Sequence, residues 1–379
     1  MHTPHYHLTR IQELPALFAT HSITAIARGL VGIFIPIYLY TIGFSLAEIL
    51  LFFGGFYFAD VPYRYFSPRV LGRLGANKCM ILGHLGTFVF FAILPFLNLH
   101  HWLLWLLIPL GGISTFYWLG FHATFSKSLA HRRVGKTVSM MNLIILIATS
   151  ITPVIGGALA TIFGPESLYV TGAILFLLGA LVLLMPEDIV TTGSYDIRNI
   201  SWREHKSDIF ANAADGIIYN AVEVVAWPLF VFLLIPSFVG VGALSTAMVL
   251  TSAAITIYVG RKEESKGERR YLKQGIVLHM VASISRALSA SPAGVLGANL
   301  LGGVSKSYMQ VAYNSRYYEN AQRHRTVEYI ALMELTLSAA NGFFCLVLAG
   351  LALVLSAKAV LVLALLAAVP LSLAINRIR

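Results

Sequence analysis

The sequence predicts an all-α membrane protein: twelve transmembrane helices arranged as two six-helix pseudo-repeats. Three observations carry that prediction. Apolar runs long enough to cross a bilayer recur along the whole chain, and 57% of its 379 residues are hydrophobic. Lys and Arg gather in alternate connections between the runs. The two halves also align with each other at a single offset.

Each span needs roughly 20 apolar residues, at about 1.5 Å rise each, to cross about 30 Å of hydrocarbon. The first six runs cover residues 17–40, 46–66, 78–98, 102–125, 138–163 and 167–186. A polar linker follows, "EDIVTTGSYDIRNISWREHKSD". The last six cover 209–234, 237–259, 273–291, 293–315, 329–354 and 359–376. The expected organisation is therefore an N-terminal bundle (1–186), a linker (187–208) and a C-terminal bundle (209–379).

The net charge is +10, and its placement excludes nucleic acid as the reason for it. With the N-terminus inside, 23 of the 27 Lys and Arg residues fall at cytoplasmic ends or loops. Only Lys358 falls on an outer loop, and Arg28, Arg286 and Lys306 lie within spans. This is the positive-inside bias. It puts both termini and the linker on the cytoplasmic side of a cell membrane. The leading segment "MHTPHYHLTRIQELPALF" lacks a basic stretch running into a small-residue cleavage site, so it reads as a lead-in to an uncleaved first span. Cys79 and Cys345 are too few for a disulfide framework. The sequon at Asn199 lies in the cytoplasmic linker and reads as chance.

The halves superimpose at an offset of 191–192 residues. "FATHSITAIARGLVGIFIPIYLY" from Phe18 aligns without gaps on "FANAADGIIYNAVEVVAWPLFVF" from Phe210. Phe18, Ala19 and Pro36 fall on Phe210, Ala211 and Pro228. Gly111, Gly112, Ser114 and Tyr117 fall on Gly302, Gly303, Ser305 and Tyr308, and Gly75 falls on Gly267. Six plus six helices related by an axis along the membrane normal is a transporter architecture, with substrate near the midplane between the halves.

The stretch "GRKEESKGERR" at 260–270 interrupts two apolar runs. Gly260, Glu264, Gly267, Arg269 and Arg270 resemble the major facilitator superfamily signature G-x-x-x-D-x-x-G-x-[RK]-[RK], with Glu264 in place of the usual Asp. Glycines suit a tight turn between two helices. The acid can face a helix N-terminus, and the basic residues can pair with it or with lipid head groups. The first-half copy, "PRVLGRLGANK", keeps Arg73 and Gly75 but has Pro68 for the first Gly and Gly72 for the Asp. In span 5, "TPVIGG" keeps Pro153, Gly156 and Gly157 of a second family signature, too little to assign an antiporter. The resemblance implies that the loops are gate latches and that spans 1, 4, 7 and 10 line a central cavity.

Seven ionisable residues lie inside spans: Arg28, Asp60, Asp215, Glu223, Arg286, Lys306 and Glu334. At roughly 2.5–3.5 kcal/mol each they must pair, reach water or bind something. Arg28, Glu223 and Lys306 lie near mid-span and are the expected substrate contacts. Tyr219, Asn220 and Trp227 lie near Glu223 along the chain, and Tyr117 and Tyr308 are repeat equivalents. An ion pair between Glu223 and Lys306 in a closed bundle is the structural alternative. Glu223 is the expected proton carrier. Asp215 and Glu334 lie toward the cytoplasmic ends and are assigned to the gate, with Arg73, Gly75 and the 260–270 latch. Asp60 can pair with Arg64 one turn on, and Arg286, near the outer end of its span, can snorkel.

His2, His5 and His7 read as a mobile tail rather than a metal site, and no other spacing suggests a metal. There is no Walker loop, dinucleotide fingerprint or catalytic constellation, so neither an enzyme, a cofactor nor ATP-driven pumping is expected. The expectation is a monomeric secondary transporter in the lipid bilayer. It would move a small polar or zwitterionic organic solute by alternating access, with protons one candidate for a coupling ion that the sequence does not identify. A non-transporting membrane receptor or scaffold on the same fold is the alternative.

Overall fold

The computed structural model describes residues 5–128, 134–184, 188, 190, 192–266 and 268–378. Twelve helices cross the bundle, and there is no strand among the described residues. They are α1 (Pro15–Thr41), α2 (Leu46–Leu74), α3 (Ala76–Asn98), α4 (Leu103–Ser128), α5 (Met140–Phe163), α6 (Glu166–Val182) and α7 (Lys206–Leu234). Then follow α8 (Phe238–Lys266), α9 (Glu268–Ala287), α10 (Pro292–Arg323), α11 (Thr326–Ala352) and α12 (Ala357–Ile375). Nine are long and apolar enough to span a bilayer among the described residues; α6 is shorter.

Several helices run further than hydropathy predicts. The α2 helix continues to Leu74 instead of 66, α8 to Lys266 instead of 259, and α10 to Arg323 instead of 315. Hydropathy marks the lipid-covered part of a helix, whereas the hydrogen-bonded backbone continues into water. At about 1.5 Å per residue, α10 is about 48 Å long and outruns a hydrocarbon core of about 30 Å. All three extensions lie at the end of the bundle where the linker sits, here termed the linker end.

Local chemistry sets several helix starts. Ser45 and Glu48 form a reciprocal capping box at α2, an arrangement that satisfies two otherwise orphaned N–H donors. Ser291 and Ser356 cap α10 and α12 with their side-chain oxygens. Pro36 and Pro228, the repeat-equivalent pair, each follow an irregular turn. In α1 it is a 3₁₀ turn over Gly32–Phe34; in α7 it is a π-helix over Ile217–Ala226. A proline donates no hydrogen bond to the carbonyl four residues back. Those carbonyls, on Gly32 and Val224, lie inside the two irregular turns.

The same helix pairs pack in each half: α1 on α6 and α7 on α12, α3 on α6 and α9 on α12, α3 on α4 and α9 on α10. Between the halves α2 packs along α11 and α5 along α8. Glycines allow these crossings to be close. A Cβ on Gly54 of α2 would lie 2.7 Å from Leu346, and one on Gly342 of α11 would lie 2.8 Å from Phe58. On the other seam, Gly157 and Gly242 would meet the carbonyls of Phe238 and Pro153 at 2.4 and 2.3 Å. Small residues at such crossings let helix backbones approach, the main source of packing energy where lipid is as apolar as the side chains.

Candidate functional site

The π-helical stretch of α7 carries Tyr219, Asn220 and Glu223. Its i→i+5 bonding widens the turn, a feature concentrated at functional sites. The Glu223 carboxylate is met from three sides. Lys306 Nζ of α10 lies 3.7 Å away, Arg286 Nη1 of α9 lies 3.3 Å away, and His279 Nε2 of α9 lies 3.7 Å away. The Lys306 ammonium also lies 4.8 Å from the centre of the Tyr219 ring. Asp215, Ile218, Tyr219, Glu223, Lys306 and Met309 are among the residues lining a recess here.

Arg286 does not snorkel. Its side chain is 1% exposed, over the Trp227 ring at 5.3 Å. Gly302 makes room for it: a Cβ there would lie 2.5 Å from Arg286 Nη2. Depth along the sequence placed Arg286 near water, but its guanidinium turns inward to the carboxylate. Trp227 supports this group from behind, donating its indole N–H to Asn299 Oδ1 at 2.8 Å.

Arg28 of α1 stands on the other side, in the first half. Its guanidinium lies over the Trp118 ring of α4, 4.6 Å from the centre. Tyr219, Tyr117, Tyr57 and Asp60 are within electrostatic range of it. Neighbours from α2, α4 and α7 put Arg28 between the halves rather than against lipid. Both Arg28 and Tyr219 are solvent-exposed, and they lie within electrostatic range of each other.

The remaining expected contacts divide. Asp215 lines the recess with Glu223. Asn220 is half-buried on the same turn, and no hydrogen bond joins it to the cluster among the described residues. Tyr308 packs against Tyr271, with ring centres 5.8 Å apart, and is not among the recess-lining residues. Tyr117 is buried and bonded to His21 Nδ1 at 2.7 Å. Its ring lies 4.4 Å from that of His84. Repeat symmetry pairs Tyr117 with Tyr308, but their neighbours differ, so each turns to its own half.

A second polar cluster crosses between the halves toward the linker end. Arg64 of α2 bonds Asp60 one turn back, at 3.2 Å, and Glu334 of α11. Ser338 of α11 donates to Asp60 at 3.1 Å. His122 of α4 shares a 2.7 Å hydrogen bond with Tyr318 of α10. One turn further out, Gln322 donates to the Ser126 carbonyl at 2.7 Å. Glu334 thus sits in an inter-half polar contact, whereas the opposite end holds apolar contacts such as Phe34 with Phe238, 5.9 Å between ring centres. Sequence spacing showed Asp60 with Arg64, but not that Arg64 reaches α11.

The linker explains the incomplete first-half motif. Gly193 donates its N–H to the Gly72 carbonyl at 2.9 Å, and a Cβ on Gly72 would lie 2.2 Å from the Gly193 oxygen. Any side chain at 72 meets the linker backbone. Asp188 of the linker accepts from the Asn77 N–H at 2.5 Å, in the first turn of α3. A linker carboxylate thus stands at the N-terminus of α3, beside Gly75, while the space at Gly72 is closed by Gly193 and Tyr195. Gly75 has φ 83°, a left-handed conformation open to Gly, and Asp188 fills the space beside it. Further along, Asp196 binds Arg69 at 2.7 Å. The Arg198 backbone N–H and then the Arg69 guanidinium hold the Asp196 carboxyl below its usual range, while burial pushes the Asp188 carboxyl up. Arg73 is exposed at the end of α2.

In the second-half motif, Gly260 and Glu264 continue the helical backbone of α8, and Arg269 and Arg270 are exposed in the first turn of α9. Gly267 and the side chain of Glu264 lie outside the described residues.

The Major Facilitator Superfamily model matches residues 17–345 of the chain. Among solved structures, the chain is similar to the human organic anion transporter MFSD10 (TETRAN). The TM-score is 0.66 at 13% identity, with 100% of each chain covered. It is also similar to a variant of the E. coli fucose:proton symporter FucP. There the TM-score is 0.62 at 12% identity, over 96% of this chain and 98% of that one. At such identities the likeness is one of fold. No curated protein matches the sequence.

Proposed function

The chain belongs to the major facilitator superfamily, whose members are membrane transporters and not enzymes, and from that premise we propose how this one works. It is a secondary transporter for a small polar organic solute. The solute binds in the space between Arg28 and the Tyr219–Glu223–Lys306 group. The observation that carries this reading is the set of charged side chains at mid-span: Glu223 and Lys306 line one recess, and the exposed Arg28 of the other half lies within electrostatic range of its Tyr219. Charges in a membrane interior are costly to keep, and a purely structural pair has no need to face an open recess.

The moving parts are the two six-helix bundles, 1–186 and 209–379, joined by the 187–208 linker. In one state the Arg64–Glu334 cluster and the His122–Tyr318 bond close the linker end. In the other those contacts part and the apolar contacts at the far end close. The exposed Arg269 and Arg270 and the bias of the other Lys and Arg residues along the sequence support a cytoplasmic linker end, with both termini, at a cell membrane. The unit is a monomer. Glu223, between Lys306 and His279, is the group assigned to proton exchange during the cycle.

The test is transport by the full chain in proteoliposomes, screened by solid-supported-membrane electrophysiology over amino acids, sugars, organic acids and amines. A solute should give a current in the parent that is lost in Glu223→Gln and Lys306→Gln. A current driven by a pH gradient in the parent, and absent in Glu223→Gln, supports proton coupling. Binding of a solute with neither a current nor uptake of the radiolabelled solute would make the protein a receptor on this fold.

A further inference from the structure

The mid-span charges are not treated equally by their surroundings. Arg64 is bonded to Asp60 and Glu334, while Arg286 and Lys306 are both on Glu223. Arg28 alone, among the described residues, has neither a carboxylate nor a hydrogen-bond acceptor in contact. It is exposed, and it lies over the face of Trp118. The carboxylate within its electrostatic range, Asp60, is 2% exposed and gives one oxygen to Arg64 and Ser338.

Among these charges Arg28 is the most exposed. Arg28 is exposed, and the Lys306 side chain is 22% exposed. The carboxylates of Glu223 and Glu334 are 8% and 13% exposed and already face cations. Asp215 is half-buried in the recess wall, on the Lys306 side. An incoming cation would meet Arg28 with no free carboxylate beside it, whereas an incoming anion finds a guanidinium with every N–H still available. A guanidinium stacked on an indole keeps its edge free, and that edge matches a carboxylate through two parallel hydrogen bonds. Cation–π contact with Trp118 holds the plane of the fork in place before the ligand arrives.

We propose that Arg28 is an anion subsite and that the solute is a small organic carboxylate, its acid group on Arg28 and its body reaching toward Tyr219 and Lys306. This rests on the reading of the central space as the solute site. It adds the charge of the solute and the atoms that read it.

Three nearly isosteric probes separate the possibilities: benzoate, benzamide and benzamidine, with glutarate and phenylacetate as further acids. The readout is the thermal unfolding midpoint of the purified full chain, titrated at pH 7.5 and constant ionic strength. At least one carboxylate should raise the midpoint in a saturable way, with benzamide and benzamidine inactive. Losing a charge-assisted hydrogen bond weakens binding by about 10- to 100-fold, so Arg28→Gln should raise the carboxylate's apparent Kd by that factor. Arg28→Lys, which keeps the charge without the fork, should give a smaller loss. Lys358→Gln, at an exposed cation outside the site and the gate, should leave it unchanged. The comparison of acid with amide in the parent needs no variant, so a folding defect in Arg28→Gln does not remove the test. Equal stabilisation by benzamide, no stabilisation by any of the acids, or a carboxylate effect unchanged in Arg28→Gln overturns the anion subsite. Stabilisation by benzamidine that is lost in Glu223→Gln would do so while leaving the central-site reading standing.

Discussion

Lys306 and Glu223 form a mid-membrane ion pair, Nζ to Oε2 at 3.7 Å, joining α10 to the π-helical turn of α7. Arg286 meets the other carboxylate oxygen at 3.3 Å. One acid thus holds two cations, and each is better matched in its presence.

Removing that acid should therefore cost more than removing one cation. Breaking a buried pair from one side costs about 3–5 kcal/mol, because a charge is left behind. Glu223→Gln should lower unfolding stability by an amount of that order. The double variant Glu223→Gln with Lys306→Gln should recover about 0.5–3 kcal/mol of it, the usual coupling between contacting residues. Transport should stay lost in both. Additive losses in a thermal or denaturant unfolding cycle would mean that the two residues do not interact.

Gly302→Ala should disturb the same carboxylate without touching the solute. A Cβ at 302 falls 2.5 Å from Arg286 Nη2 and must displace it. The expected result is a several-fold weaker solute affinity with the helical content unchanged by circular dichroism. Arg286→Lys in the same background should not restore it, since the compact ammonium lacks the planar fork that reaches Glu223 and Met248 together. Parent-like affinity in Gly302→Ala would remove Arg286 from the site.

Glu334→Gln should loosen the linker end. Arg64 keeps Asp60, so the stability loss should fall below the ~3–5 kcal/mol of a fully orphaned buried charge. A cysteine introduced at Ser126, buried beside Gln322, should react with a water-soluble maleimide several-fold faster in the Glu334→Gln background. Unchanged reactivity would mean that the Arg64–Glu334 contact does not hold the halves together.

Docking of the linker should depend on pH with a sign fixed by Asp196. Its carboxyl is held below the usual range by the Arg198 N–H and by Arg69, so the docked form favours the ionised acid. That contribution is fully present above the ordinary Asp range and is lost as pH falls through the docked value. Asp188, raised by burial, contributes with the opposite sign: it is most favourable at low pH and less so as pH rises through its raised value. A spin label at the exposed Ser194 should be immobile at pH 7 and mobile as the pH drops below the ordinary Asp range. Asp196→Asn or Gly72→Ala should make it mobile at pH 7. Mobility that increases from pH 4 to pH 7 instead would give Asp188 the controlling role.

The number of helices, their order and their pairing into halves were legible because bilayer thickness leaves a direct mark on hydropathy. Pro36 and Pro228 announced two equivalent irregular turns, although not that one would be 3₁₀ and the other π. Mid-span charge marked Arg28, Glu223 and Lys306. What sequence could not give was direction. Depth along a helix says how far Arg286 is from water, but not that it turns inward past Gly302. Repeat symmetry aligns Tyr117 with Tyr308, but the histidines that hold Tyr117 have no counterpart beside Tyr308. The missing acid at Gly72 read as a degraded motif. The carboxylate that meets the first turn of α3, Asp188, lies 116 positions beyond Gly72, and only the folded linker brings it there.

Alternating access is tested most directly by two distances in one protein. Spin labels at Leu74 and Arg323 report on the linker end, and labels at Leu99 and Leu353 report on the far end; all four sites are exposed. Cys79 and Cys345, both buried, are replaced by Ala. Pulsed electron–electron resonance on the full chain in lipid nanodiscs should show the two distances changing in opposite senses when Glu334→Gln is introduced. The Leu74–Arg323 pair should lengthen and the Leu99–Leu353 pair should shorten. Two distances that stay fixed, or lengthen together, would contradict a transporter that opens one end as it closes the other.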